Sequence, residues 1–444
     1  MARKVFISVL GAGLYGKCKY FDGDFTSQNT FFVQTATLEY LNVKQWSKDD
    51  VALFLLTDFA KKSNWDKTIT QRRNNAIQQD IVYKGLEKDI EDLELPIQIV
   101  PVDIPDGNNE AEIWEIFTKT FKELNNDDEL YFDVTHAFRF LPMLILVLCN
   151  YAKFLKKVTV KSITYGNYEA RNKTVEPNEA PIINLLPLTK LQDWTYAAGT
   201  YLDSGNVDKL VEMSNQELSP ILRQAQGKNT DANNLRNFVK HLSNVIKERQ
   251  TCRGISIIKS DNFKKLKEAA DCLSDNAILK PLNPVIEKIK DSFSDFDTDN
   301  NIRNGFAAAK WCLENKLYQQ SATILQEVVV SYFCSRHDIA IDNEEEREII
   351  NQAFNLKANN QAENIGDNWK RVKPENYTKL GDVLSDEHFN NIGIVNGFRN
   401  LTEIRNDYNH SGMRSKQTPL QPDAIIKNIE KCFISFKQLF DLCS

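Results

Sequence analysis

The sequence predicts two architectures in one chain: an α/β domain on a mostly parallel sheet, then an all-helical half. Three observations carry this expectation. Residues 1–186 alternate apolar runs with helix-like segments, strand-like alternation nearly vanishes after Pro187, and 444 residues are too many for one ordinary core. Three divisions follow: residues 1–187, a helical stretch 188–300, and a final helical block 301–444.

The apolar runs fall at residues 5–10, 51–57, 97–104, 130–134, 158–165 and 182–186. Near-continuous Val, Ile, Leu and Phe runs of this length suit strands covered on both faces. Helix-like spacing lies between them at 31–41, 76–93, 110–124 and 137–155, the alternation of a doubly wound fold. The last two strands read as a hairpin appended to one edge, and 17–29 reads as a polar loop. Beyond Pro187, one helical block spans 188–273 with breaks near Ser204 and Gly205 and near 226–230. The polar stretch 291–301 reads as a boundary loop. Helices are then expected at 302–314, 318–335, 344–356, 392–409 and 423–442, the last carrying a one-sided apolar stripe from Ile425 to Phe440.

Composition narrows the function. Hydrophobic residues make up 42% and charged residues 26%, values of a globular chain. No stretch approaches the roughly 20 apolar residues a membrane helix needs. Residues 140–155 come nearest, but Pro142, Asn150 and Lys153 mark them as a buried helix. No cleavable leader is read, so a cytoplasmic location without membrane attachment is expected. Eight scattered cysteines form no C-x-x-C pair and read as reduced, structural thiols. A net charge of −6 argues against a nucleic-acid coat, so any RNA contact must come from a local basic patch.

Two constellations carry chemistry. Strand one runs into Gly11, Ala12 and Gly13, where backbone amides can approach a phosphate or base. The glycines match a dinucleotide fingerprint only in part, and taken alone they read first as a tight turn after a strand. The fourth strand runs into Asp133-Val134-Thr135-His136-Ala137-Phe138-Arg139, with a helix expected to begin near Ala137. Thr135 and His136 would then sit at a helix N-terminus, which favours anions, or Thr135 would merely cap it. Arg139 could add charge or stack on a base.

This segment, completed by Pro142, resembles the D-x-T-H-G-F-R-x-x-P stretch of CRISPR-associated Rossmann-fold (CARF) domains, with Ala137 in place of the usual glycine. The opening Ile7-Ser8-Val9-Leu10-Gly11-Ala12-Gly13, Tyr20, and Phe31 to Ala36 resemble that family too. The resemblance implies a Rossmann-like sensor of cyclic oligoadenylate, with cyclic tetra-adenylate favoured. Two such domains would pair around the ligand, and Gly11, Ala12, Gly13, Thr135, His136, Ala137, Phe138 and Arg139 would line it.

The second constellation is Arg405-Asn406-Asp407-Tyr408-Asn409-His410, with Gly412 as a helix terminator. On a continuous helix Arg405 and His410 are about 140° apart, so they act together only if the helix ends there. The chemistry suits metal-free RNA cleavage. Histidine exchanges protons with the 2′-hydroxyl or the leaving oxygen, and arginine holds the crowded phosphate. No paired-carboxylate or His/Cys metal motif is read. The block resembles the helical HEPN nucleases, whose R-x(4–6)-H motif matches Arg405 and His410, with Asn406 at the usual polar position. The segment from Phe306 to Glu327 resembles that family's packing helices, and the module order resembles ancillary ribonucleases of type III CRISPR systems. The resemblance implies a homodimer with a composite site and single-stranded RNA as substrate. Arg399, Arg414 and Lys416 flank the motif as candidate RNA contacts. His241, His337 and His388 read as structural or exposed. Two rivals remain: a ligand-binding regulator whose helical half docks a partner without catalysis, and a nucleotide-cofactor enzyme using Asp58.

Overall fold

A computed structural model describes residues 2–13, 16–66, 68–72, 80–136, 140–273, 283–362, 369, 372–413 and 419–441. The chain divides into two compact units, Met1–Lys190 and Leu191–Ser444.

The first unit runs β1 (Lys4–Val9), β2 (Lys19–Asp22), β3 (Phe25–Thr26), α1 (Val33–Tyr40), β4 (Val51–Leu56), α2 (Asp58–Ala60), β5 (Thr68–Arg72), β6 (Asp80–Lys84), α3 (Leu86–Glu91), β7 (Gln98–Asp103), α4 (Glu110–Lys122), β8 (Glu129–Asp133), α5 (Leu141–Lys156), β9 (Thr159–Gly166) and β10 (Glu179–Asn184). Eight strands form one sheet in the order β3-β2-β10-β9-β8-β1-β4-β7. The run from β9 to β7 is parallel, and β10 joins β9 antiparallel.

Period two explains the layers. Val5, Ile7 and Val9 of β1 share one core with Ile116 of α4 and Leu144 and Leu148 of α5. The intervening Phe6 turns to the other face, with Ala52, Phe54 and Leu56 of β4, Leu38 of α1 and Leu86 and Ile90 of α3. Each such side chain, fully buried, stabilises by about 1.5–3 kcal/mol.

Three expectations fail here. The helix expected over 76–93 is instead the hairpin β5–β6 followed by the short α3; residues 73–79 lie outside the described set. The loop expected over 17–29 holds β2 and β3, and β2 pairs parallel with β10, so the β9–β10 pair is not at the edge. The helix expected from Ala137 begins at Leu141, with Pro142 in its first turn. Proline is tolerated there because that turn has no use for its N–H, which places the helix start at the proline.

The rest of the chain is helical: α6 (Leu186–Ser204), which starts within the first unit, then α7 (Asp208–Gln224), α8 (Thr230–Gln250), α9 (Gly254–Lys259), α10 (Asp261–Asp271), α11 (Asn283–Asp291), α12 (Arg303–Glu314), α13 (Tyr318–Arg336), α14 (Glu344–Ala358), α15 (Tyr377–Ser385), α16 (Ile392–Asn409) and α17 (Pro422–Asp441). The sequence pattern misses α11 and α15, which are short. One core runs from Trp194 to Phe440. The stretch read as a boundary loop contributes Phe293 to that core. Nearby, Arg249 of α8 is 1% exposed, and its guanidinium lies over the rings of Phe296, Trp311 and Phe293 at 4.1, 4.6 and 5.4 Å. No helix among the described residues is long and apolar enough to cross a membrane. The seven described cysteines form no disulfide, and five are buried.

Candidate functional site

The loop after β1 opens at the carboxyl end of the parallel strands, where ligands bind in such sheets. It is fixed by a residue that the sequence pattern did not single out. Asn64 donates through Nδ2 to the carbonyls of Gly11 and Gly13, at 2.8 and 2.9 Å. Asn64 is fully buried and sits in a π-helical turn, Lys61–Trp65, a geometry with no period to read in sequence. Because a trans peptide sets N–H opposite C=O, the Ala12 amide points away from Asn64. Gln34 of α1, also fully buried, donates to the Val9 carbonyl at 3.1 Å and steadies the strand just before the loop. Farther along, a side chain on Gly16 would collide with the Tyr168 hydroxyl. Arg171 stacks on the Tyr168 ring at 3.9 Å.

Thr135 and His136 occupy the turn between β8 and α5, not a helix N-terminus, because α5 starts later. Nor is Thr135 a helix cap. Its hydroxyl donates to Asp133 Oδ1 at 2.6 Å and accepts from the Gly166 amide at 2.8 Å, tying β8 to β9. Asp133 is itself buried and receives Ser8 Oγ at 2.8 Å. Burial raises its pKa, opposed by hydrogen bonds from Thr135 and Ser8. The acid of the D-x-T-H stretch is thus a brace beneath the crevice. Burial also pushes His136 down to about 4, so it is neutral at physiological pH. Ala137, Phe138 and Arg139 lie outside the described residues.

In the helical unit, α16 is capped by Asn391, whose side chain accepts from the amides of Gly393 and Ile394. It buries Ile394, Phe398, Leu401 and Ile404. The helix ends at Asn409, and His410 is its exposed C-cap. Ser411 and Gly412 then take positive φ, 51° and 71°, and the Gly412 amide returns to the Asp407 carbonyl at 2.9 Å. The chain therefore reverses immediately after His410, the helix-end arrangement that the Arg405–His410 spacing needs. Arg405 is half-buried against α13, where its Nη1 donates to Glu327 Oε1 at 3.1 Å and Gln326 Oε1 at 3.4 Å. The sequence pattern did not single out either partner. Asn406 is partly exposed beside them, and Arg399 is exposed with Glu403 at 3.6 Å. Arg414 and Lys416 lie outside the described residues.

His241 follows Arg236 and Asn237 at the same R-x-x-x-x-H spacing, which the sequence reading passed over, but Arg236 and His241 lie inside the continuous helix α8 and not at its end. The other two histidines have other work. His337 and His388 bracket the buried Asp386, at 3.0 and 2.7 Å, with Arg336 at 2.8 Å. Burial opposes the ionised Asp386, but the His388 amide, Arg336 and the His388 ring outweigh it and hold the carboxyl well below its usual range. Asp58 is exposed at the start of α2.

A braced loop at the carboxyl ends of a doubly wound sheet, followed by a helical unit, defines an α/β protein with a helical second half. Residues 5–169 match the family model described as CRISPR system endoribonuclease Csx1, CARF domain. The first unit is thus similar to a CARF domain over those residues, a little over a third of the chain. The CRISPR-associated protein MJ1674 of Methanocaldococcus jannaschii is 24% identical over 329 residues, 73% of this chain and 44% of its own length. The match thus spans less than half of that relative. Enterococcus italicus Csm6 bound to cyclic hexa-2'-fluoro-hexa-dAMP aligns over 99% of this chain and 94% of its own, at 12% identity and a TM-score of 0.43.

Proposed function

We propose that the protein is a homodimeric endoribonuclease that cuts single-stranded RNA without metal when cyclic oligoadenylate, with cyclic tetra-adenylate favoured, occupies its CARF crevice. The observation that carries this reading is the reversal of the chain at His410. It frees an exposed imidazole at a helix end while Arg405 is anchored one turn earlier. His410 exchanges the proton of the 2′-hydroxyl or of the leaving 5′-oxygen, and Arg405 supplies fixed positive charge to the phosphorane. Asn406 offers a further polar contact to the phosphate or the imidazole. Each chain contributes Arg405 and His410, so two such pairs from paired chains form the composite site. Pairing of the CARF domains is supported by Met143, Val147, Tyr151 and Phe154, an exposed apolar stripe on α5. Residues 188–300 transmit ligand binding to the block 301–444, shifting a population between loose and assembled sites.

The test is cleavage of a fluorescent single-stranded RNA in EDTA, with each cyclic oligoadenylate, by wild type and His410→Ala. Loss of a general acid–base group is expected to slow cleavage by about 10²–10⁴-fold. Equal cutting by the variant, or no stimulation by any ring, would instead favour a regulator that binds a partner without catalysis.

A further inference from the structure

Helix α13 presents two adjacent polar side chains to one turn of α16. Gln326 Nε2 donates to Thr402 Oγ1 at 3.1 Å, and Gln326 and Glu327 both accept from Arg405 Nη1. Thr402 and Arg405 are three residues apart and so lie on one face of α16. The pair therefore fixes both the rotation of that helix and the arginine it carries.

The other Glu327 oxygen, Oε2, accepts from Arg347 Nη2 of α14 at 2.7 Å. Arg347 is itself held by Ser331 Oγ at 2.8 Å and the Ile341 carbonyl at 3.0 Å. One carboxylate thus sits between two guanidinium groups, and the trio keeps a net positive charge. A carboxylate paired with Arg405 alone would cancel the charge a phosphate needs; Arg347 removes that cost. The edge of Arg405 matters equally. Only Nη1 is engaged, and its Nε–Nη2 edge, suited to paired contacts with phosphate oxygens, makes no hydrogen bond among the described residues. A contact built to block the arginine would cover that edge.

We propose that Glu327 is a positioning residue: it anchors Arg405 by Nη1 and leaves the Nε–Nη2 edge for the scissile phosphate, while Arg347 offsets its charge. This rests on the ribonuclease reading above. Glu327 and Arg347 also line a cavity of about 450 Å³, so shortening Glu327 admits water without overpacking.

The experiment is ring-activated, single-turnover RNA cleavage in EDTA by the full chain, varying enzyme concentration. Wild type, Glu327→Gln, Glu327→Ala, Arg405→Ala and the double variant Glu327→Ala/Arg405→Ala are compared, each with a thermal melt. Misplacing a catalytic group by about 1 Å can cost on the order of 10²-fold, so Glu327→Ala should lower the maximal rate by about 10–100-fold while half-saturation changes little. Glu327→Gln keeps an acceptor for Nη1 and should recover much of the rate. The double variant should be no slower than Arg405→Ala, because Glu327 acts through Arg405. Wild-type rates in Glu327→Ala, ring-independent cleavage in that variant, or additive losses in the double variant would overturn the proposal and leave the nuclease reading standing. Arg405→Ala cutting as well as wild type would overturn both.

Discussion

Single residues decide how each site is held. The sequence exposes the loop Gly11-Ala12-Gly13 and the Arg405–His410 pair, because glycine and the motif spacing are visible in one dimension. It does not expose Asn64, Gln326 or Glu327, which act from other elements and acquire meaning only when the chain folds back. His136 allows a prediction in solution. Its folded pKa is about 4 against 6.5 for the free group, because burial disfavours the charged ring. Between those values the unfolded chain takes up a proton that the folded one refuses. Stability is therefore unaffected above pH 6.5 and falls as pH drops toward 4. Melting temperatures from pH 7 to 4.5 should decline more steeply in wild type than in His136→Gln, and equal slopes would mean that His136 is solvated when folded.

Helices and strands differ in how well local pattern reports them. The bounds of α16 are legible because its apolar residues recur at helical spacing and Gly412 closes it. The pattern fails over 76–93, where charged residues and helix formers imitate a helix while the chain forms the second strand of the β5–β6 hairpin. The two strands pair antiparallel from Thr68 with Lys84 to Arg72 with Asp80, a partnership that no single-segment periodicity records. Strand β2 escapes for a related reason: its partner β10 lies far along the chain. At this scale the contact between α12 and α13 is the sharpest to test. A Cβ on Gly305 would lie 2.5 Å from Val328 Cγ2, so the two helices meet over a glycine. Gly305→Ala should destabilise the helical unit by about 1–3 kcal/mol through overpacking, despite alanine's better helix propensity. Chemical denaturation measures it, and a stabilised variant would show that the helices can separate without loss.

For the whole molecule, the alternating pattern gives way to a helical one after Pro187, and the chain forms two compact units, Met1–Lys190 and Leu191–Ser444. The proposed pairing of chains leaves a weaker mark, since an apolar stripe on α5 reads in sequence as buried helix. Phe154 is 83% exposed in the stripe. On the proposed function, Phe154→Asp should yield a monomer in light scattering and abolish ring-stimulated cleavage, while the thermal melt is kept. A dimer that survives would place the pairing surface elsewhere.

The aromatic cage around Arg249 bears on how RNA binding can be measured. Its charge faces rings and is shielded from solvent; burial lowers its pKa to about 10, so it stays protonated in any neutral assay. Mobile ions screen exposed charge pairs strongly and enclosed ones little. Raising ionic strength should therefore weaken the proposed contacts between RNA phosphates and surface arginines while this part of the helical core keeps its strength. A salt titration of cleavage then counts the counterions displaced by RNA, separate from any loosening at the cage.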